Sequence, residues 1–283
     1  MKIQKTIPTV LAALLSSTFI ACSPQGFSGG EKTTPTINDG ADDGSQNIVD
    51  TAPSPAPSPE PSPAPEGFRL DQEVNKFKTR YGLKDPYTKL IDNKGKGYSD
   101  LWGARNFRVV LHGVFYRGGA NNKYFDPPRS NTNPLPTKGL QNLCEDDFSG
   151  AVYLYSENYS KAPKTVSCKN TSHQDNVFNY VQAGPYNEAD LNKILTMIYD
   201  RIKGKRSGPI YAHCWNGWHA SGVISGIALK QFCNWSDSQA EKYWIANTDG
   251  NSSGHESTKA RLRKFKQLAK YKISAEESAL ICP

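Results

Sequence analysis

Ten consecutive residues from His213 to Gly222 place a thiol, two imidazoles, a hydroxyl and two glycines in one short segment. The apolar run from Pro209 to Ala212 predicts a strand that ends near His213. The small and apolar residues from Ser221 to Leu229 predict a helix. A loop between a strand end and a helix N-terminus directs main-chain N–H groups at one point, which suits an anion. Cys214 at the start of such a loop is stabilised as a thiolate, so the segment indicates nucleophilic chemistry on an anionic group.

The order of residues in this segment resembles the phosphate-binding loop of the cysteine-dependent tyrosine and dual-specificity phosphatases. The positions that match are His213, Cys214, Gly217, Ser221 and Gly222. The resemblance implies that Cys214 attacks phosphorus and that Ser221 helps the thiolate leave. We therefore expect Cys214, Ser221 and His213 to be the catalytic residues. The residues expected to surround the phosphate are Trp215, Asn216, Gly217, Trp218, His219, Ala220 and Gly222.

The segment departs from the family at position 220, where Ala220 stands in place of the arginine that clamps two phosphate oxygens. Loss of one preorganised donor costs about 10²–10³ in rate, and a bidentate guanidinium is worth more. The imidazole of His219 lies next to this position and can carry a positive charge in acid. A basic side chain from elsewhere is the other way to replace the arginine, with Arg206, Arg261 and Arg263 as candidates.

A second departure concerns the acid that protonates the leaving alcohol. The resemblance implies an aspartate on a loop before the cysteine, which here is Gln182 to Asp190, and the front of that loop contains no carboxylate. Glu188 or Asp190 reaches the site only if the loop is displaced. Otherwise both are first-turn helix residues, favoured there by the helix dipole.

Two alternatives stay open for the side chains of the loop. Trp215 and Trp218 either stack on a sugar, inositol or aromatic ring of a ligand, or pack against neighbouring helices. His219 is either a ligand contact or a surface imidazole with a local hydrogen bond. His213, Cys214 and His219 have no fourth partner at a recognisable metal-ligand spacing, so we expect no metal site and no cofactor.

The N-terminus predicts export and a membrane anchor. Residues 1–21, with Lys2 and Lys5 before a mostly apolar stretch, have the pattern of a signal peptide. The sequence before Cys22 resembles a bacterial lipoprotein cleavage box, which implies lipidation of Cys22, while cleavage of an ordinary signal peptide is the alternative. Residues 22–66 are rich in Pro, Ser, Ala and Gly and predict a disordered tether. Residues 67–283 form the remaining, phosphatase-like domain, and we expect it in the bacterial envelope, facing the periplasm or the cell surface.

The charge of the domain indicates which ligands it binds, and its cysteine content indicates which disulfides it forms. Residues 67–283 contain 31 Lys and Arg against 20 Asp and Glu, which favours anionic ligands such as phosphate esters. No nucleic-acid motif accompanies this charge, so we expect no nucleic-acid partner, and we expect membrane contact only through the anchor. In an oxidising envelope four of the five cysteines after Cys22 can pair. We expect Cys144–Cys168 and Cys233–Cys282, with Cys214 left as the nucleophile.

Strand and helix patterns alternate along the domain and predict an α/β fold, with a mostly parallel central sheet flanked by helices as in the phosphatase family. The resemblance covers about residues 106–270, and residues 67–105 are not placed. Predicted strands are two around Gly113 between Asn106 and Gly119, then Ala151–Tyr155, Val177–Val181 and Pro209–Ala212. Predicted helices are Leu135–Cys144 with Thr137 as a possible N-cap, one capped by Asn187, one after the loop, one capped by Ser236, and Glu256–Tyr271.

Three functions compete on these observations. The first is a lipid-anchored phosphatase acting through a Cys214 phosphocysteine, and the second is a phosphatase-like domain that binds phosphate esters with little or no turnover. The third is a structural surface lipoprotein whose basic face contacts anionic polymers. The intact Cys214 and Ser221 favour the first two, and Ala220 favours the second over the first.

Overall fold

A six-stranded β-sheet forms the centre of residues 67–124 and 127–283, the part of the chain that the computed structural model describes. In sheet order its strands are β1 (Ala104–Leu111), β2 (Phe115–Ala120), β6 (Ile210–Cys214), β3 (Gly150–Tyr153), β5 (Asp175–Gln182) and β4 (Thr165–Lys169). The inner pairs β2–β6, β6–β3 and β3–β5 are parallel, whereas the edge strands β1 and β4 pair antiparallel. The predicted α/β fold with a mostly parallel sheet is confirmed.

Helices cover both faces of this sheet. Within the described residues they are α1 (Leu70–Tyr81), α2 (Thr137–Glu145), α3 (Glu188–Ile202), α4 (His219–Cys233), α5 (Asp237–Ala246), α6 (Glu256–Lys264) and α7 (Ala275–Ile281). The sheet separates two apolar cores, one containing residues of α3 and α4 and the other residues of α1 and α2. Strand β6 lies between them and is buried along its whole length, which explains its continuous run of Ile210, Tyr211 and Ala212.

Two of the predicted helix starts have the expected caps. The Asn187 side chain accepts from the Asp190 N–H at the start of α3. Ser236 and Gln239 form a capping box at the start of α5. Each cap satisfies N–H groups that have no partner within the helix. Thr137, by contrast, is the first residue of α2 rather than its cap, because Pro136 holds the extended N-cap position.

Two other predicted boundaries are wrong. The strand predicted for Ala151–Tyr155 runs from Gly150 to Tyr153, so Tyr155 lies beyond the sheet. The helix predicted for Glu256–Tyr271 ends at Lys264, and only a 3₁₀ turn follows at Ala269–Tyr271. The early end has a physical cause in α4, where Lys230 Nζ donates to the carbonyls of Leu262 (2.7 Å) and Phe265 (2.6 Å). These donors replace the hydrogen bonds that a longer helix would have made.

Both predicted disulfides are present. Cys144 in α2 pairs with Cys168 in β4, with a Cα–Cα distance of 6.1 Å. Cys233 at the end of α4 pairs with Cys282 after α7, at 5.8 Å. Cys214 is the free cysteine among the described residues, and it is buried. The cross-links therefore leave available the thiol expected as the nucleophile.

The predictions for the N-terminal part of the chain, namely the signal peptide at 1–21, the lipidated Cys22 and the tether at 22–66, concern residues outside the described part. Between residue 67 and the C-terminus, leaving out 125 and 126, no helix is long and apolar enough to cross a membrane.

Candidate functional site

The loop that carries Cys214 lies at the carboxyl end of the parallel strands. Cys214 is the last residue of β6 and His219 the first of α4, so residues 215–218 form a tight connection. Strand β6 has the parallel strands β2 and β3 on either side, paired as far as Gly119–Cys214 and Tyr153–His213. The carboxyl edge of such a sheet is where α/β proteins bind ligands. The N-terminus of α4 adds its partial positive charge at the same place.

Four consecutive carbonyl groups of this loop point outwards, towards β1 and β2. The Trp215 carbonyl accepts from the Ala120 N–H at 3.0 Å and from Arg105 Nε at 3.3 Å. The Asn216 carbonyl accepts from Asn106 Nδ2 at 2.8 Å. Arg117 Nη2 donates to the Gly217 carbonyl and, at 3.2 Å, to the Trp218 carbonyl. In a trans peptide the next N–H points the opposite way, so the N–H groups of residues 216–219 face inwards. These N–H groups have no hydrogen-bond partner among the described residues. The loop therefore presents a set of main-chain donors suited to an oxyanion.

Glycines allow the loop to lie directly on strand β2. A Cβ on Gly119 would meet the Gly217 nitrogen at 2.6 Å. Gly217 itself has φ +78°, and a Cβ there would meet the Gly118 carbonyl carbon at 2.6 Å. Gly217 is thus required both for the left-handed turn and for the close approach of two backbones.

Cys214 and Ser221 are in contact at the centre of the loop. Cys214 Sγ lies 3.5 Å from Ser221 Oγ, and both residues are buried. Arg117 Nη2 donates to the same hydroxyl at 3.3 Å. Since the serine oxygen accepts from Arg117, its own hydrogen is available for the cysteine sulfur. Through these contacts Arg117 acts as a structural hydrogen-bond donor to the loop.

Both ring nitrogens of His213 are engaged in structural hydrogen bonds. Tyr180 accepts from the Leu135 N–H at 3.1 Å, so its hydroxyl donates to His213 Nε2, 2.8 Å away. The Nδ1–H of His213 is then the donor to the Cys214 carbonyl at 3.1 Å. Complete burial lowers the pKa of His213 to about 3, which keeps the ring neutral. His213 orients the peptide of Cys214, and no described contact joins it to the sulfur.

The position that differs from the phosphatase family is occupied by a buried methyl group. Ala220 is fully buried in the apolar core beneath the first turn of α4. Of the arginines considered as replacements, Arg263 pairs with Glu241 at 2.8 Å. Arg261 donates to the Pro185 carbonyl at 2.7 Å and pairs with Glu188. The Arg206 carbonyl accepts from Arg201, which also donates to Gly113, at the end of the sheet opposite the loop. None of the three contacts residues 214–222 in the described hydrogen bonds and ion pairs.

The carboxylates considered as acids have hydrogen-bond and ion-pair partners of their own. Asp190 Oδ2 accepts from the Gly184 N–H at 2.9 Å. Glu188 pairs with Arg261 at 3.1 Å. Both residues lie in the first turn of α3. The first-turn interpretation of Glu188 and Asp190 therefore fits their contacts.

The two loop tryptophans are half-buried and hydrogen-bonded. Trp215 Nε1 donates to the Tyr153 hydroxyl at 2.9 Å, and its ring lies 4.6 Å from that of Tyr155. Trp218 Nε1 donates to Asp249 Oδ2, also at 2.9 Å. Both indoles therefore contact the protein, Trp215 at β3 and the residues after it rather than at a helix.

Tyrosine hydroxyls add polar groups beside the sulfur that the sequence did not indicate. Burial raises the pKa of Tyr153 to about 12, and nearby negative charge at Cys214 acts in the same direction. The same causes raise the pKa of Tyr155. Both phenols are therefore protonated at neutral pH. The Tyr155 hydroxyl has no hydrogen-bond partner among the described residues, so it is available to donate to an anion.

His219 faces away from the loop interior. Its Nε2–H donates to the Asn251 carbonyl at 2.7 Å, and its ring stacks on that of His255 with centroids 4.0 Å apart. Burial lowers the pKa of His255, and positive charge on His219 or Lys259 lowers it further. This contact corresponds to a surface imidazole with a local hydrogen bond, the second of the two roles considered for His219.

Within the described residues, no group of three or more His, Cys, Asp and Glu side chains is placed to hold a metal ion.

No protein-family model matches the sequence, and no curated protein matches it. Solved structures to which this chain is similar include the catalytic core of Siw14, with 16% sequence identity and a TM-score of 0.38, over 57% of this chain and 85% of that chain. Another is the core catalytic domain of the PP-IP phosphatase SIW14 from S. cerevisiae in complex with citrate, with 16% identity and a TM-score of 0.37, over 57% and 86% of the two chains. Tk-PTP in the active form has 12% identity and a TM-score of 0.35, over 56% and 94%.

Proposed function

We propose that residues 67–283 form a phosphatase-like domain that binds phosphate esters at the loop from Cys214 to Gly222, with slow hydrolysis or none. One observation supports this above all others. Four carbonyls of the loop accept hydrogen bonds from β1 and β2, so the N–H groups of residues 216–219 point away from those strands and are left without partners in the described residues. Main-chain donors and a helix N-terminus at one point favour a tetrahedral oxyanion.

Hydrolysis at this site would proceed in two steps. The Cys214 thiolate attacks phosphorus, the bond from phosphorus to the ester oxygen breaks, and the departing alkoxide takes a proton from water, because Glu188 and Asp190 are held elsewhere. Water then attacks the phosphocysteine, and the sulfur leaves with the Ser221 hydroxyl donating to it. Without a guanidinium at position 220 the first step lacks a donor worth at least about 10²–10³ in rate. This deficit favours binding over turnover.

The test combines binding with turnover on the purified protein. Calorimetry measures the affinity for inorganic phosphate and tungstate, and p-nitrophenyl phosphate reports hydrolysis, beside Cys214→Ser as the control that keeps the loop. Binding without hydrolysis supports a pseudophosphatase, which is the alternative within this proposal. Hydrolysis that Cys214→Ser abolishes supports the enzyme. If neither anion binds and no ester is cleaved, the proposal is wrong and the structural role remains.

We also propose that the domain is attached to the bacterial envelope through lipid on Cys22, facing the periplasm or the cell surface. The support is the pattern of residues 1–22 and the Pro-rich segment that follows. Metabolic labelling with a radioactive or clickable fatty acid tests this directly. Label should enter the wild-type protein and be absent from Cys22→Ser. A wild-type protein without label, or equal label in both, overturns the anchor.

A further inference from the structure

We propose that Arg105, on the side of the loop that faces β1, supplies positive charge to an oxyanion bound in the loop. An arginine at position 220 would supply that charge in the phosphatase family that the loop resembles. This inference rests on the proposed anion site. Arg105 is a positioning residue: it holds the loop through hydrogen bonds and acts on the anion through its charge. Arg105 stands near the start of β1, 110 residues before Trp215 in the sequence.

Arg105 holds the two residues that directly follow Cys214. Its Nε donates to the Trp215 carbonyl at 3.3 Å, and its Nη2 donates to the Asn216 side-chain oxygen. Its remaining contacts are long, to Asn93 at 3.4 Å and to Asn131 at 3.5 Å. Arg105 as a whole is only 5% exposed. A buried cation is thus fixed beside the loop by neutral acceptors.

The buried arginines differ in whether a carboxylate lies near them. Arg201 is paired with Glu73 at 2.7 Å, and Arg108 has Asp249 at 3.7 Å. Arg105 and Arg117, both buried, have no carboxylate of the described residues within 4 Å. Both contact the loop. Arg117 does so through the carbonyls of Gly217 and Trp218 and through the Ser221 hydroxyl. Arg105 and Arg117 therefore leave buried positive charge without an ion pair beside the loop, whereas Arg108 has Asp249, which also accepts from Trp218 Nε1.

Uncompensated buried charge calls for an anion. A guanidinium does not deprotonate in proteins, so burial of Arg105 is favourable only with negative charge nearby. Desolvation lowers the pKa of Arg105, while negative charge on Cys214, Tyr124 or Tyr211 opposes that change. The thiolate of Cys214 and the oxyanion that it faces are the counter-charges that this arrangement lacks.

Arg105 differs from a clamp in one respect. Its N–H groups donate to the Trp215 carbonyl and the Asn216 side chain. Arg105 therefore contributes charge without donating two hydrogen bonds to phosphate oxygens. Affinity for the anion is therefore retained, while the bidentate stabilisation of a transition state is absent. This separation agrees with a site that binds phosphate esters better than it hydrolyses them.

The experiment compares Arg105→Met and Arg105→Gln, which lose the charge, with Arg105→Lys, which keeps it. One readout is the dissociation constant for inorganic phosphate, and the other is the rate of alkylation of Cys214 by iodoacetamide at pH 7. We expect both neutral variants to bind phosphate at least about tenfold more weakly and to react about tenfold more slowly, as for the loss of one nearby opposite charge. Arg105→Lys should stay within about threefold of wild type in both.

Arg201→Met is the matched control, because it removes a buried arginine at the far end of the sheet. It should lower the melting temperature and leave both readouts unchanged. The inference is overturned if Arg105→Met and Arg105→Gln match wild type, or if Arg105→Lys falls as far as they do, since the hydrogen-bond geometry would then matter and the charge would not. If the wild-type protein binds no phosphate, the proposed function fails, and the alkylation rates alone decide on Arg105.

Discussion

The Ser221 hydroxyl lies 3.5 Å from the Cys214 sulfur and receives its own hydrogen bond from Arg117 at 3.3 Å. When Cys214 is a thiolate, the donors run in order from Arg117 to Ser221 to the sulfur. A sulfur that accepts a hydrogen bond carries negative charge more readily, both before attack on phosphorus and when it leaves. The side chain of Ser221 thus serves the cysteine whether or not the loop turns over.

Ser221→Ala should slow the alkylation of Cys214 by iodoacetamide at pH 7 by about tenfold or more. The reason is the loss of a hydrogen bond to a charged group, worth about 1.5–3 kcal/mol. Ser225→Ala is the matched control, because Ser225 lies one turn further along α4 and donates to the Ser221 carbonyl. Equal rates in Ser221→Ala and Ser225→Ala would show that the hydroxyl does not act on the sulfur.

Acid should destabilise the fold through His213. Its folded pKa of about 3 lies below its ordinary value of 6.5, so the unfolded chain binds the proton more tightly. The stabilisation is fully present above pH 6.5 and is lost progressively as the pH falls towards 3, on the order of a few kcal/mol. Burial also lowers the pKa of His112, to about 4, which acts with the same sign.

Urea unfolding between pH 7 and pH 4 measures this loss. The free energy of unfolding should fall with the pH in the wild-type protein, and the slope should be smaller in His213→Asn, whose amide does not titrate. His112→Asn serves as the comparison for the second histidine. An unchanged slope in both variants would mean that other groups, such as the carboxylates, cause the acid sensitivity.

The elements that position the site could be predicted because their signals are local. The apolar run of β6 and the small residues after it identify a strand, a loop and a helix within about 20 residues. Asn187 and Ser236 mark helix starts through caps that involve neighbours three residues away. Helix α1 has buried residues at Val74, Phe77 and Tyr81, a helical spacing, yet its N-cap Arg69 makes no side-chain cap. A helix without a start signal, in a segment outside the family resemblance, was not predicted.

The support of the loop could not be predicted from the sequence, because it depends on long-range pairing. Arg105 and Asn106 reach the loop from a strand about 110 residues earlier, and nothing in their local sequence indicates this. The alternating exposure of β4, with Val166 and Cys168 as its half-buried positions, also provides no apolar run to identify an edge strand. Sequence patterns report which face is buried, while the identity of the partner requires the fold.

Reduction of the Cys233–Cys282 disulfide should lower stability without removing anion binding. The bond closes a loop of 49 residues, for which the chain-entropy estimate is about 4 kcal/mol. It joins the end of α4 to the chain after α7, whereas the loop lies at the start of α4. Cys233→Ser/Cys282→Ser should therefore unfold at lower urea concentration and bind phosphate with unchanged affinity. Loss of binding in the folded double variant would contradict this separation.

Gly217→Ala should abolish phosphate binding and destabilise the domain by more than a simple backbone effect. The left-handed conformation alone costs an alanine about 1–2 kcal/mol. At Gly217 the new Cβ would also meet the Gly118 carbonyl carbon at 2.6 Å and Asn106 Cβ at 2.9 Å, so the loop must lift from β2. Gly82→Ala is the matched control, since Gly82 has φ +62° and nothing within 4 Å of a Cβ. Urea unfolding should show a small loss for Gly82→Ala and a clearly larger one for Gly217→Ala, and calorimetry should show phosphate binding only in the former. Equal losses of stability, with phosphate binding retained in both variants, would contradict this. The loop would then not need close contact with β2 to orient its N–H groups.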